Sequence, residues 1–127
     1  MSPDLDKKLC EKYPKIFRDR HAAKTQTAMC WGFECADGWY NIIDCLCAEL
    51  QDLTSNGAPQ VIATQVKEKF GGLRFYVDGG DEVGYAAISL AEKLSTVTCE
   101  VCGKPGKINN NAGWLKCLCP EHGEDKP

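Results

Sequence analysis

The strongest periodic signal in the chain runs over residues 37–53, where Trp39, Ile42, Ile43, Leu46, Cys47, Leu50 and Leu53 recur at three- and four-residue spacing. That spacing places apolar side chains on one helical face, so the segment is expected to be the central core helix. Asp37 is placed to cap its start, because its carboxylate can accept from a free backbone N–H. Ser55-Asn56-Gly57 supplies the stop. A shorter helix is expected at residues 4–13, where Pro3 and Asp4 suit a helix start, Leu5, Leu9, Cys10 and Tyr13 share a face, and Pro14 ends it. Residues 18–36 read as irregular, with Trp31-Gly32-Phe33 a packed loop. A third helix is expected at residues 82–94, with Val83, Ala86, Ala87, Leu90, Ala91 and Leu94 turned inward.

Between the second and third helices the period changes from helical to alternating. Ile62, Thr64, Val66, Glu68 and Phe70 alternate with Ala63, Gln65, Lys67 and Lys69, which predicts a strand. Gly71-Gly72 is read as the two residues of a tight turn. The return strand puts Leu73, Phe75 and Val77 on one face and Arg74 and Tyr76 on the other, giving a hairpin over residues 61–77. Glu68 falls on the apolar side, where it needs a rim position or a cation from a helix.

These elements define an α+β protein with helices packed on a small antiparallel sheet. We divide the chain into a core at residues 1–96, a C-terminal module at residues 97–123 packed on it, and a frayed tail at residues 124–127. With 127 residues and 43% hydrophobic residues, a real but small core is expected, and a staple would help it. The net charge of −3 argues against a globally basic nucleic-acid binder and leaves room only for a local patch. The first residues, Met1-Ser2-Pro3-Asp4-Leu5-Asp6-Lys7-Lys8, lack the apolar segment of a secretory leader. No apolar run is long enough to span a bilayer, so no membrane partner is expected. A cytoplasmic location follows, and the nine cysteines are then expected to be free, buried or bound to metal.

The cysteines carry the sharpest chemistry. Cys99 and Cys102 are separated by two residues, as are Cys119 and His122, and sixteen residues divide the pairs. Thiolates at that spacing can both point at one ion from a tight turn, and zinc takes four such donors as a tetrahedron. Gly103 suits the turn. The intervening residues read as a hairpin: Gly106-Lys107-Ile108, a turn over Asn109-Asn110-Asn111-Ala112-Gly113, then Trp114 to Leu118. Together they make a zinc-ribbon-like module. Cys117 competes as a ligand, but the two-residue gap to His122 favours Cys119. Four protein ligands leave no open position for water, so the expected cofactor is one structural Zn2+ per chain.

The remaining signals are weaker. Cys30, Cys35, Cys45 and Cys47 match no standard metal knuckle and read as packing thiols. Cys35 with His21 is the single nucleophile–base pair that can be drawn, so no catalytic residues are assigned. Lys67, Lys69, Arg74 and Tyr76 share a hairpin face with Gln65 and form a candidate nucleic-acid surface, set against the ordinary reading of a solvated sheet face. Trp31 and Trp39 flank Cys35 and Asp37 in an aromatic cluster, which is either core or a pocket for a flat ligand.

Four runs carry a resemblance: Trp31-Gly-Phe-Glu-Cys-Ala-Asp-Gly-Trp39, Val66-Lys-Glu-Lys-Phe-Gly-Gly-Leu-Arg-Phe-Tyr76, Cys99-Glu-Val-Cys-Gly103 and Gly113-Trp-Leu-Lys-Cys-Leu-Cys-Pro-Glu-His122. Over residues 10–122 the chain resembles small bacteriophage and prophage proteins of no agreed activity. The resemblance implies the metal half-sites at Cys99/Cys102 and Cys119/His122 and a setting in the host cytoplasm. The expected function is a non-enzymatic accessory protein that binds and modulates a host protein, such as an antiviral defence component. The alternatives are a nucleic-acid regulator using the ribbon with Lys67, Lys69 and Arg74, and a protein that sequesters a small ligand such as a nucleotide near Trp31, Trp39 and Arg74. Oligomeric state is not legible.

Overall fold

A computed structural model describes residues 1–23, 27–111 and 113–123. The element order is α1 (Pro3–Lys12), β1 (Phe33–Glu34), α2 (Tyr40–Ser55), β2 (Val61–Lys69), β3 (Gly72–Gly79), α3 (Glu82–Ser95), β4 (Lys107–Asn111), β5 (Trp114–Leu118) and α4 (Pro120–Gly123). Single 3-10 turns lie at Ala28–Trp31 and Asp37–Trp39. The architecture is α+β: β1, β2 and β3 form one sheet in that order, and β4 and β5 form a separate antiparallel pair. The expected tail at residues 124–127 lies outside the described residues.

The core gathers Leu9, Ile43, Leu46, Cys47 and Leu50 from the helices with Val66, Leu73 and Phe75 from the sheet. Residues just after Pro14 also enter the core. Ile16 and Phe17 are buried, and the Phe17 ring meets Phe33 edge-on at 4.9 Å. The loop that follows is tied to α1 by Arg20, whose guanidinium grips both carboxylate oxygens of Asp6 and donates to the Cys30 carbonyl.

Four local expectations change. Asp37 does not cap α2: the helix is entered through the 3-10 turn, and the Asp37 carboxylate accepts from the Ser2 N–H at 2.7 Å. The hairpin turn is Phe70-Gly71 rather than Gly71-Gly72, since Lys69 pairs with Gly72. Phe70 therefore takes the left-handed φ of 54°. An irregularity in the β2–β3 ladder between Ala63 and Gln65 breaks the alternation, so Val61 and Ala63 join Val66 on the buried side. Residues Asn109 to Asn111 belong to β4 instead of the turn.

The correction at α3 is the largest. The face buried against the body is Gly84, Ile88, Ala91 and Ser95. Val83, Leu90 and Leu94, expected inward, are 59%, 59% and 46% exposed, and Ala86 is exposed too. Polar groups fix this orientation. The Ser95 hydroxyl accepts from the Leu73 N–H at 2.8 Å, and the Glu92 carboxylate accepts from the Phe75 N–H at 2.9 Å. Both donors lie on the side of β3 away from β2, so α3 is pinned along that side.

Candidate metal centre

The two half-sites arrive from different local structures. Cys99 and Cys102 sit on a tight turn in which the Gly103 N–H donates to the Cys99 carbonyl at 2.9 Å and Gly103 has a φ of 81°. Cys119 ends the β5 hairpin, and α4 starts at Pro120, which suits a first helical position. That single turn carries His122 back over Cys119, and the His122 N–H donates to the Cys119 carbonyl at 3.1 Å.

The donor atoms of Cys99, Cys102, Cys119 and His122 all lie within 4.8 Å of one another. The Cys102 and Cys119 sulfurs are 3.7 Å apart. His122 Nδ1 lies 3.7 Å from the Cys99 sulfur and 3.2 Å from that of Cys119. A tetrahedral zinc with bonds of about 2.3 Å to sulfur and about 2.0 Å to nitrogen would set sulfurs roughly 3.8 Å apart and sulfur from nitrogen roughly 3.6 Å. The two separations of 3.7 Å match edges of such a tetrahedron, and the third, 3.2 Å, is shorter. This Cys3His set fits a metal ion, and it fits through Nδ1 of the histidine. Among the described residues no other group of three or more Cys, His, Asp or Glu side chains converges in this way.

The electrostatics suit a thiolate. Burial raises the Cys99 thiol, but hydrogen bonds from the backbone at Cys119, Cys102 and Val101, with the Cys102 thiol, more than reverse this and bring it to about 6. Cys117 behaves differently. It is fully buried in the main core, and burial pushes its thiol up. It lies outside the ligand set, as the two-residue gap between Cys119 and His122 implied.

Sequence reasoning missed how the first knuckle is seated. The Glu100 carbonyl accepts from the Gly38 N–H at 2.7 Å, and the Thr98 carbonyl accepts from the Trp39 indole at 2.9 Å. The Glu100 carboxylate, almost wholly buried, accepts from the Ala36 N–H at 2.9 Å. On its other side it faces Lys116, whose ammonium lies 3.6 Å from Glu100 and 3.1 Å from Glu68. The cation for Glu68 thus comes from β5, not from a helix. The Ala36-Asp37-Gly38-Trp39 run is a cradle for the knuckle, and its glycine was the available signal.

Set against known protein families, curated proteins and solved structures, the chain matches none.

The other candidate residues fall in separate places. Trp39 is fully buried while Trp31 is 62% exposed, so the two rings do not make one ligand surface. Lys67 and Arg74 are directly opposed across β2 and β3, next to the Gln65–Tyr76 pair, which puts these side chains on one face. Glu34 of β1 flanks Lys67, so the face is mixed in charge. Lys69 lies over the Phe70 ring at 5.5 Å. Cys35 is buried and its thiol is pushed up to about 12, chiefly by burial, which removes the thiolate that a nucleophile needs. Its would-be base His21 is exposed, beside Arg20. Cys47 is likewise buried, Cys30 is half-buried, and Cys45 is exposed; none of the nine cysteines is in a disulfide. Among the described residues no helix is long and apolar enough to cross a membrane.

Proposed function

We propose that this chain is a non-enzymatic accessory protein that carries one structural Zn2+ and acts by binding another protein. The zinc assignment is supported by the donor set: three thiols and one imidazole at tetrahedral spacing suit zinc and close the site to water. A closed ion of this kind holds a fold together and does not activate a substrate.

The observation that carries the binding role is the open apolar face of α3. Val83, Leu90 and Leu94 face solvent from a helix whose opposite face is already buried. Large apolar side chains grouped on a surface mark an interaction site. The resemblance to phage proteins makes a host protein the expected partner, with an antiviral defence component the first class to try, in a reducing cytoplasm where the six cysteines outside the metal set stay free thiols.

The test is capture of host proteins by the tagged, zinc-loaded chain, read by mass spectrometry. A partner retained by the wild type and lost after chelation supports the reading. No specific protein retained, together with catalytic turnover of any small substrate, ends it.

The opposed Lys67 and Arg74 beside Tyr76 support a second reading, binding of nucleic acid. It requires affinity for DNA or RNA that falls steeply with salt. Absence of binding at low salt removes it.

A further inference from the structure

The helices α2 and α3 leave between them an open groove of about 350 Å³, lined by Ile42, Cys45, Leu46, Glu49, Leu90 and Leu94 among others. Its lining residues Ala87, Leu90 and Leu94 on α3 and Ile42, Leu46 and Glu49 on α2 are in the register of a coiled-coil seam, which Val83 and Leu53 continue beyond the groove. Along α3, Val83, Ala87, Leu90 and Leu94 follow one another at steps of four, three and four. Along α2, Ile42, Leu46, Glu49 and Leu53 do the same. Two adjacent seams with unfilled space between them have the form of a three-helix bundle lacking its third helix.

One seam position does not suit a purely apolar role. Glu49 takes the place where the repeat calls for an apolar residue, and it has no hydrogen-bond or ion-pair partner among the described residues. Covering it with an apolar surface would strand a carboxylate, so the covering group must bring a cation. The surroundings repeat this demand. Helices α2 and α3 carry Asp44, Glu49, Asp52, Glu82 and Glu92 against a single cation, Lys93. Asp44 and Glu92 are engaged by Lys12 and by the Phe75 N–H; of the three carboxylates left, Glu49 lines the groove and Asp52 and Glu82 lie elsewhere on the same two helices. A second copy of this chain would present the same acidic helices, and like charges would oppose one another.

We infer that the groove receives an amphipathic helix of a partner protein, its apolar stripe seated between Leu46 and Leu90 and a Lys or Arg placed against Glu49. This rests on the protein-binding reading above and specifies the partner's chemistry. The occupant needs an apolar residue every third or fourth position, flanked by basic residues, over about three turns to match α3.

The experiment uses the full zinc-loaded chain and three labelled peptides followed by fluorescence anisotropy. One is helical, with a leucine stripe flanked by lysines. The second has glutamate for every lysine, and the third is a scramble of the first. Leu90→Asp and Glu49→Lys change exposed side chains, so both variants are expected to fold, with circular dichroism as the check. The lysine peptide is expected to bind the wild type, the glutamate peptide and the scramble at least about tenfold more weakly. Leu90→Asp is expected to weaken the lysine peptide about tenfold, and Glu49→Lys to do the same while improving the glutamate peptide.

Equal binding of the scramble, or indifference to both variants, overturns the inference. So does a wild-type dimer that Leu90→Asp converts to monomer, since the occupant is then a second copy. A host protein captured equally by wild type, Leu90→Asp and Glu49→Lys overturns it as well, while leaving the chain a protein binder.

Discussion

Gly38 lies so close to Cys99 that a Cβ built on it would stand 2.2 Å from the Cys99 carbonyl oxygen. The obstruction is backbone, which cannot swing aside as a side chain would. Gly38→Ala must therefore push the metal knuckle off its cradle, lengthening the Gly38–Glu100 hydrogen bond with it. The expected cost is roughly 3 kcal/mol, the upper end of overpacking penalties. Thermal melts of the zinc-loaded protein measure it. An unchanged melting temperature would mean that the knuckle is not held against this turn.

The four-ligand assignment separates cysteines that composition alone cannot. Cys102→Ser and Cys119→Ser are expected to lose the metal, and with it folding free energy on the order of 10 kcal/mol in small zinc-dependent modules. Cys117→Ala is expected to keep about one metal per chain and to lose only packing, roughly 1 kcal/mol for a small buried side chain. Plasma emission spectroscopy of the purified variants gives the metal count. Retention by Cys119→Ser and loss by Cys117→Ala would reverse the assignment.

Lys116 stands between two carboxylates, Glu68 and Glu100, and it is about a third exposed. Removing it strands the better buried of the two, Glu100. A fully buried pair would lose more, so Lys116→Ala is expected to cost about 1–3 kcal/mol after allowance for solvent screening. Adding Glu100→Gln, which can still accept from the Ala36 N–H, is expected to restore part of the loss. Burial lowers the Lys116 ammonium, but Glu68 and Glu100 outweigh it and raise the group above 10.5. A raised cation contributes in full below its unfolded value and loses that contribution only as pH climbs past the folded one. The difference in melting temperature between wild type and Lys116→Ala is thus expected to stay level from pH 6 to pH 9.

Phe70 holds a left-handed backbone conformation while its side chain is 67% exposed. That conformation costs a non-glycine residue about 1 kcal/mol, whereas Asn-Gly is the favoured pair for such a turn. The exposed contact with Lys69 returns only about 0.5 kcal/mol. Phe70→Asn is expected to raise stability by a few tenths of a kcal/mol. Denaturant titration can detect this, and a fall in midpoint would show that the ring supplies more than the contact with Lys69.

Local pattern was a good guide where one force acted alone. The apolar face of α2 from Trp39 to Leu50 is buried as its spacing required, and the paired two-residue gaps brought Cys99 to His122. It failed where two signals competed. On α3 the stripe through Val83, Leu90 and Leu94 is the more apolar, yet Ser95 and Glu92 are needed by backbone donors of β3, and satisfying those donors turned the helix. The break near Thr64 had no local mark, so the strand was read out of phase. The seating of the knuckle on Gly38 joins residues some sixty positions apart, and no periodicity reports a contact of that range.

The side chains that α3 lays along β3 have a further consequence. Open strand margins invite other chains to add on, and a short hairpin sheet with β-branched and aromatic residues would be a ready template for such growth. Here Ser95 and Glu92 occupy the amides that an incoming strand would seek. One side of α3 thus leaves leucines in water while the other closes the margin where a further strand could pair.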